Sequence, residues 1–296
     1  MKITKLLFAT RLEKLWFDAL QSLMDLRKAD LNHVVFLNVI ERDKVAMHRG
    51  TGYQKGEEIK LREMANVRFI DWAETLFEQG MEVGAYIVVG NLVKQIITSV
   101  KKEEVDLIVM GHHEKTKMEI LFSGSQISEL LRRTSTPILV YKYILDAGDK
   151  IRAPFENPVL ATDWSSASQR AVEYLSGLKN VIKTIRIIHV AEEKQLDGLS
   201  SMEVQKFRKK NKKKLEEVCE TFESQGINAE PHFYIGDTAE EIEKAARGFR
   251  ASMIVMGATG KGALIERWLG SVPMELAEKS IFPTLLVPSE DKRPNS

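Results

Sequence analysis

Short apolar segments alternate with longer stretches of mixed polarity along the second half of the chain. The apolar segments are residues 159–162, 184–190, 229–235, 252–256 and 284–287. They are short and rich in β-branched residues, which is typical of strands buried on both faces of a sheet. Between the first two segments, apolar residues from Ala167 to Leu178 recur every three or four positions. That spacing predicts a helix with one apolar stripe.

A second helix start follows the third apolar segment. Asp237 precedes Glu240 by three residues, a spacing typical of a capping box at a helix N-terminus. The predicted order for this half is therefore five strands separated by four helices. Because strand–helix–strand crossovers are right-handed, we expect an α/β fold, a doubly wound parallel sheet with helices on both faces.

The chain contains one long internal repeat. Residues 108–111 (Ile-Val-Met-Gly) recur at 254–257, and the same shift of 146 positions carries Gly124-Ser125 to Gly270-Ser271. A repeat of this length is a duplicated domain, because solenoid units are only about 20–50 residues long. The two halves are therefore predicted to be homologous.

The length and composition agree with two globular domains. The chain has 296 residues, of which 44% are hydrophobic and 29% are charged, the balance of an ordinary folded protein. Turn-forming and charged residues separate the two copies near residue 149. We therefore predict domains at residues 1–148 and 149–296.

Charge and hydropathy exclude several classes of partner. The net charge of +1 gives no overall field that would hold nucleic acid. The longest uncharged apolar stretch, residues 83–93, is shorter than the about 20 residues that a membrane-spanning helix needs. We expect a cytoplasmic protein with no membrane span and no nucleic-acid partner. The single cysteine, Cys219, is interpreted as a small buried apolar residue.

Two polar segments have structural interpretations. Residues 206–214 are rich in lysine and are followed at once by acidic residues, which is typical of the solvated face of a long helix. We expect this face to lie away from the ligand crevice, and an anionic partner surface is the alternative.

His112, His113 and Glu114 are adjacent, and adjacent side chains in a strand point to opposite faces, so no metal site is predicted.

The candidate chemistry lies just after the apolar segments. Doubly wound folds bind ligands outside the carboxyl ends of the strands, where the strand order reverses. Gly257 and Gly260 follow the fourth segment, Gly270-Ser271 opens the last predicted helix, and Asp163 follows the first segment. Small residues let backbone N–H groups approach an anion, and a helix N-terminus adds unpaired amides and a positive dipole end. Such a loop also occurs as a plain tight turn, so both interpretations stay open on these residues alone.

In the spacing of these glycines and in the aspartate after the first segment, the second half resembles the universal stress protein family. ATP-binding members carry G-x2-G-x9-G-[S/T] after the fourth strand, and Gly257, Gly260 and Gly270-Ser271 match this spacing. Residues 161–165 (Ala-Thr-Asp-Trp-Ser) are similar to the family's first-strand ending, and His189-Val190 to the second-strand ending that contacts adenine. Because the resemblance covers both halves, the chain is identified as a tandem member of the family.

The resemblance implies a topology, a ligand and a set of binding residues. Each domain would be a five-stranded parallel sheet in the order 3-2-1-4-5. The domains would pair through their last strands, residues 138–141 and 284–287, within one chain or between two chains. The ligand would be ATP or AMP, with Mg²⁺ accompanying ATP. The implied nucleotide-binding residues are Ala161, Thr162, Asp163, Ser165, Val190, Met256, Gly257, Gly260, Gly270, Ser271 and Val272.

The first half departs from the family pattern at two positions. Arg11 stands where the second half has Asp163, and Glu114 stands where it has Gly260. An acidic side chain in a phosphate loop repels phosphate, and the loss of the aspartate removes a contact for ribose or a metal ion. We expect the first half to bind adenine nucleotide weakly or not at all.

Three classes of function are compatible with the sequence. The leading hypothesis is an adenine-nucleotide-binding stress-response regulator that signals through nucleotide occupancy, an expected homodimer and an unidentified regulatory partner. The second is a slow ATPase or phosphotransferase, for which Asp163, Lys261 and Arg267 are the nearby candidates but form no recognised catalytic arrangement. The third is an interaction scaffold without a ligand. A regulator would bind nucleotide with negligible turnover, an enzyme would release phosphate, and a scaffold would do neither.

Overall fold

A single mixed sheet runs through both halves of the protein. The computed structural model describes residues 2–10, 15–45, 53–111, 124–142, 152–259 and 270–289. Its strands are β1 (Lys5–Ala9), β2 (His33–Glu41), β3 (Glu82–Gly90), β4 (Leu107–Gly111), β5 (Ile138–Tyr141), β6 (Pro158–Ala161), β7 (Thr184–Ala191), β8 (Asn228–Ile235), β9 (Met253–Gly257) and β10 (Thr284–Val287). The sheet order is β3-β2-β1-β4-β5-β10-β9-β6-β7-β8. Each half therefore has the order 3-2-1-4-5 with parallel neighbours, which confirms the predicted fold class.

Helices cover both faces of the sheet. They are α1 (Leu15–Gln21), α2 (Arg42–Val45), α3 (Lys55–Glu78), α4 (Leu92–Glu103), α5 (Gly124–Arg133), α6 (Ser166–Ser176), α7 (Ser201–Glu223), α8 (Thr238–Gly248) and α9 (Ser271–Lys279). In the second half, α6 and α7 pack on one face and α8 and α9 on the other, because the chain moves outward from β6 to β8 and returns through α8 to β9. The apolar stripe predicted from Ala167 to Leu178 is buried. Asp237 starts α8 by accepting a hydrogen bond from the N–H of Glu240 at 3.0 Å.

The long helix α7 begins at a capping box and then packs against β7 and β8. Ser200 and Glu203 bond to each other's backbone N–H groups at its N-terminus. Farther along, Leu215, Cys219 and Phe222 are buried. Burial, followed by nearby carboxylates, raises the pKa of the Cys219 thiol to about 12. The thiol therefore stays protonated and packs as an apolar group, in agreement with its predicted role.

The two halves meet through their last strands. β5 and β10 are antiparallel, with Leu139 opposite Leu285, and both strands are fully buried. The pairing expected from the resemblance therefore forms within one chain. Helix α6 adds two contacts with the first half: Arg170 donates to the carbonyl of Ser135 at 2.7 Å, and the buried Tyr174 donates to the carbonyl of Asp106 at 3.4 Å.

Lys142 strengthens this junction from the first half. It directly follows β5, is 5% exposed, and donates from Nζ to the carbonyl of Leu276 at 3.2 Å and to the carbonyl of Ser280. These carbonyls lie at the C-terminal end of α9, where the carbonyl of Leu276 also accepts from the N–H of Ser280 at 3.1 Å. A lysine ammonium at this end also interacts favourably with the helix dipole.

We therefore expect Lys142→Met to lower the free energy of unfolding by about 1–3 kcal/mol, because methionine keeps the length of the side chain but removes the ammonium that donates to the carbonyls of Leu276 and Ser280. Urea denaturation would measure the change. The control is Lys179→Met, since Lys179 is exposed and should change stability by less than about 0.5 kcal/mol. Equal stability of the two variants would contradict a role for Lys142 at the junction.

Candidate nucleotide-binding site

A cavity of about 780 Å³ lies at the carboxyl ends of β6, β7 and β9 in the second half. The strand order reverses between β6 and β9, because the chain leaves β6 through α6 on one face and leaves β9 through α9 on the other. Doubly wound folds bind their ligands in crevices at such switch points. The volume falls in the upper part of the range of roughly 300–1,000 Å³ that is usual for small-molecule sites.

Most of the residues predicted from the sequence meet at this cavity. Its lining includes Ala161, Thr162, Asp163, Val190, Met256, Gly257, Gly270, Ser271 and Val272. Ser165 stands just behind the lining, where its hydroxyl donates to the carbonyl of Thr259 at 3.1 Å. That bond ties the start of α6 to the loop after β9. Gly260 lies outside the described residues.

The turn between β6 and α6 is held by its own polar groups. Thr162 donates its N–H to the carbonyl of Ile188 at 2.9 Å, and its hydroxyl oxygen accepts from the N–H of Trp164 at 3.3 Å. Asp163 accepts from the N–H of Ser165 at 3.0 Å and lines the cavity. The hydroxyl of Thr162 thus shapes the turn, while Asp163 brings a carboxylate to the cavity, where it can accept a hydrogen bond from a ligand hydroxyl.

Trp164, His189 and Phe207 bring aromatic side chains to the cavity, and Phe233, which is not part of the lining, contacts His189 and Phe207. The ring of His189 lies 4.8 Å from that of Trp164 and 5.9 Å from that of Phe233, and Phe233 lies 6.2 Å from Phe207. His189 Nδ1 is 2.7 Å from the carbonyl oxygen of Thr162. Because a carbonyl oxygen only accepts, Nδ1 carries the hydrogen in this arrangement, which fixes the ring orientation. Aromatic rings of this kind suit contact with a planar base.

Trp164, one of these aromatic residues, has a strained backbone. Its φ is 67°, a left-handed conformation that costs a residue with a Cβ about 1–2 kcal/mol. Strain of this kind persists only where the surrounding structure imposes it. Here the bonds from Thr162 and Asp163 fix the turn on both sides of Trp164.

We expect Trp164→Gly to be more stable than Trp164→Ala by about 0.5–1 kcal/mol. Both variants lose the indole ring, and only glycine relieves the backbone, although its freedom in the unfolded chain offsets part of that gain. Denaturant unfolding of the two variants side by side would measure the difference. An alanine variant as stable as the glycine variant would show that the turn carries no strain.

Gly257 is required by packing at the end of β9. A Cβ at this position would lie 2.6 Å from the N atom of Ser168 and 2.7 Å from the carbonyl carbon of Ala167. Both are backbone atoms in the first turn of α6. The glycine thus allows the helix that follows β6 to approach β9 closely, a role that differs from the direct approach to an anion predicted from the sequence.

The N-terminus of α9 offers two backbone amides to the cavity. Gly270 precedes the helix, and its N–H donates to the carbonyl of Ala258 at 3.2 Å. Pro273, the third residue of the helix, has no N–H. The amides of Ser271 and Val272 remain at the positive end of the helix dipole, together with the hydroxyl of the exposed Ser271. This arrangement can bind one phosphate group.

The lysine-rich helix α7 also lines the cavity, which corrects one expectation. We predicted that residues 206–214 would lie away from the ligand crevice, yet Phe207, Lys210, Asn211 and Lys214 all line it. Lys214 Nζ lies 5.3 Å above the ring of Trp164, within the range of a cation–π interaction. The expectation of a solvated face holds only for the other side of the helix.

A comparison between the length of α7 and the length of the neighbouring strand could have indicated from the sequence that α7 reaches the cavity. A helix of 23 residues is about 34 Å long, whereas eight residues of β7 span about 26 Å. One end of the helix must therefore extend past the sheet. The sequence reasoning also missed Glu192 and Gln195 after β7 and Thr238 and Ile242 in α8, which complete the lining.

Several residues singled out from the sequence lie outside the described part of the chain. They are Arg11, His112, His113, Glu114, Gly260, Lys261, Arg267 and the domain boundary near residue 149. Among the residues that are described, no group of three or more His, Cys, Asp and Glu side chains is arranged to hold a metal ion. Within the same ranges, no helix is long and apolar enough to cross a membrane.

The fold and the cavity define a doubly wound α/β protein of two like halves, with a candidate ligand site at the switch point of the second half. The chain belongs to the universal stress protein family, whose profile matches residues 3–142 and 154–288. This match confirms the tandem arrangement inferred from the internal repeat.

Relatives of known sequence and structure agree with this assignment. The chain is 32% identical over 83 residues to universal stress protein MJ0577 of Methanocaldococcus jannaschii, covering 28% of this chain and only 51% of that protein. It is 30% identical over 146 residues to universal stress protein YxiE of Bacillus subtilis, covering 45% of this chain and 99% of that protein. A universal stress protein structure from Archaeoglobus fulgidus superposes with a TM-score of 0.72 at 22% identity, over 98% of this chain and 97% of the other. A putative universal stress protein from Pseudomonas aeruginosa gives 0.64 at 18% identity, over 96% and 93%. At these identities the two structures support the fold alone.

Proposed function

We propose that the second half binds an adenine nucleotide, ATP or AMP, in the cavity at the ends of β6, β7 and β9, and that the protein is a stress-response regulator. The convergence of nine residues of the predicted nucleotide motif on one cavity carries this proposal. The motif alone would be compatible with a tight turn. A cavity of nucleotide size with aromatic side chains, a carboxylate and a helix N-terminus favours a binding site.

Each part of a nucleotide has a chemical counterpart in the lining. The base would stack against the ring faces of Trp164 and His189, near the backbone of Val190. A ribose hydroxyl would donate to Asp163. The phosphate nearest the ribose would accept from the amides of Ser271 and Val272. If ATP binds, Mg²⁺ would bind with it, coordinated mainly by the phosphates, because in such sites most ligands of this ion are water molecules and substrate oxygens.

Nucleotide occupancy would be communicated to the first half through α6. Ser165 is the N-cap residue of α6, and its hydroxyl bonds to the carbonyl of Thr259 in the loop after β9. Farther along the helix, Arg170 and Tyr174 donate to the carbonyls of Ser135 and Asp106 in the first half. A ligand that orders the turn before α6 would thus shift the population of conformations of a helix that contacts both halves. Homodimer formation and contact with a regulatory partner would read out this change.

A titration with a turnover assay separates the three candidate functions. The full chain is titrated with ATP and with AMP by calorimetry, and phosphate release from ATP is followed at the same protein concentration. A regulator binds at least one of the two nucleotides and releases phosphate no faster than a sample without protein. Steady phosphate release would instead favour an ATPase. No binding of either nucleotide would overturn the proposal and favour a scaffold.

A further inference from the structure

The N-terminal half of α7 brings two lysines to the cavity without carboxylate partners. Lys210 and Lys214 are one turn apart and both line the cavity. Within the described residues, neither has a carboxylate oxygen within 4.0 Å of its ammonium group, whereas Lys212 and Lys213 pair with Glu216 and Glu217. Lys206, Arg208 and Lys209 of the same helix also lack such a partner, but they do not line the cavity. Among the described residues, Lys210 and Lys214 are thus the cations of α7 that bring unneutralised charge to the cavity.

Lys214 is held in place rather than freely solvated. It is half-buried, and its Nζ lies 5.3 Å from the centroid of the Trp164 ring. The indole lowers the freedom of the ammonium group without neutralising it, because a cation–π contact leaves the positive charge intact. The ammonium can therefore still donate to an anion in the cavity.

These lysines lie across the cavity from the N-terminus of α9. α7 follows β7 and α9 follows β9, and β7 and β9 are the two neighbours of β6. Two strand spacings of about 4.8 Å place the ends of β7 and β9 about 10 Å apart. In addition, α7 and α9 pack on opposite faces of the sheet. The cavity therefore has two separate sites that favour negative charge.

A nucleotide with a single phosphate chain would use only one of these two sites. With its phosphates at Ser271, the base and ribose would face the lysines, and neither of these groups is anionic. The charge distribution of the cavity fits a ligand that carries phosphate at two separate positions. The cavity volume, about 780 Å³, leaves room for the additional group.

We propose that this cavity selects adenine nucleotides that carry a second phosphate on the ribose, and that Lys210 and Lys214 bind that phosphate. The inference rests on the proposed function, because it takes the 5′ phosphate to lie at α9. Asp163 would oppose the binding of such a ligand. Its carboxylate lines the same cavity and repels a ribose phosphate, so that binding of such a ligand depends on the two lysines.

ADP and adenosine 3′,5′-bisphosphate provide a matched pair of probes, because they are isomers with two phosphates each and differ only in where the second phosphate is attached. Affinities are measured by calorimetry at about 0.1 M salt, where exposed charges are screened beyond about 10 Å. We expect wild-type protein to bind adenosine 3′,5′-bisphosphate, or its 2′,5′ isomer, about tenfold more tightly than ADP. Lys210→Gln with Lys214→Gln should reverse that preference, because the substitutions remove the proposed partners of the ribose phosphate and therefore weaken binding of the bisphosphate more than binding of ADP.

The control variant is Lys209→Gln with Lys213→Gln. These lysines have the same spacing on the same helix, are both exposed, and do not belong to the cavity lining. The control changes the net charge equally and should keep the preference for the ribose bisphosphate. Wild-type protein that binds AMP and ADP but neither bisphosphate more tightly would overturn this inference and leave the proposed function standing. Wild-type protein that binds none of the four ligands would overturn both.

Discussion

Replacing Ser271 with aspartate is expected to weaken adenine-nucleotide binding at least tenfold without loss of stability. Ser271 is the exposed first residue of α9, and a carboxylate at this position interacts favourably with the helix dipole by about 0.3–1 kcal/mol. The same carboxylate would occupy the position of the bound phosphate. Two like charges about 5 Å apart repel by about 3 kcal/mol at an effective dielectric constant of 20. The variant should therefore be at least as stable as wild type in urea, yet bind nucleotide poorly by calorimetry.

Ser201→Asp is the matched control for this variant. Ser201 is the exposed first residue of α7, so the substitution adds the same charge at the same helical position, away from the described lining. It should leave nucleotide affinity within about twofold. If Ser271→Asp bound ATP and AMP as tightly as wild type does, the phosphate would not lie at the start of α9, and the proposed binding mode would be wrong.

Gly257→Ala is expected to lower the free energy of unfolding by about 1–3 kcal/mol and to weaken nucleotide binding as well. The added Cβ would lie within 2.8 Å of three atoms of Ala167 and Ser168, two of them backbone atoms, so the first turn of α6 has to move. The turn that holds Asp163 and Trp164 leads directly into this helix. A shift of α6 therefore disturbs the cavity and the packing together.

The same substitution at Gly248 should have the opposite effect on stability. Gly248 ends α8, and no atom lies within 4 Å of a Cβ built there. Alanine in a helix is favoured over glycine, so Gly248→Ala should stabilise the protein by up to about 1 kcal/mol. Urea denaturation and calorimetry on both variants test the pair. A Gly257→Ala variant with wild-type stability and affinity would contradict the close packing of α6 on β9.

The central strands could be predicted because burial on both faces leaves little sequence freedom. The segment predicted as 252–256 is β9 (Met253–Gly257), and the segment predicted as 184–190 is β7 (Thr184–Ala191). Every residue of β9 is buried, so apolar character alone marks it. The internal repeat then gave the two-domain arrangement, and the order 3-2-1-4-5 came from the family resemblance.

The cavity was predictable only in part, because side-chain pattern does not report how elements extend in space. The lysine-rich pattern of residues 206–214 indicates a solvated helix face, but not that the helix passes the sheet edge and brings Lys210 and Lys214 to the cavity. The left-handed backbone of Trp164 is equally hidden, since a bulky residue is rarely found in that conformation. At Gly257 the residue was singled out correctly, but its packing against Ala167 and Ser168 depends on a contact between distant segments.

The number of adenine nucleotides bound per chain at saturation tests the central claim most directly. Equilibrium dialysis of the 296-residue chain against ATP, and separately against AMP, gives this number without a variant. One nucleotide per chain is the predicted result, since the second half carries the complete motif and the first half has Arg11 and Glu114 at two of its positions. Two nucleotides per chain would contradict the expected loss of binding in the first half. No bound nucleotide at millimolar concentration would contradict nucleotide binding by this protein altogether.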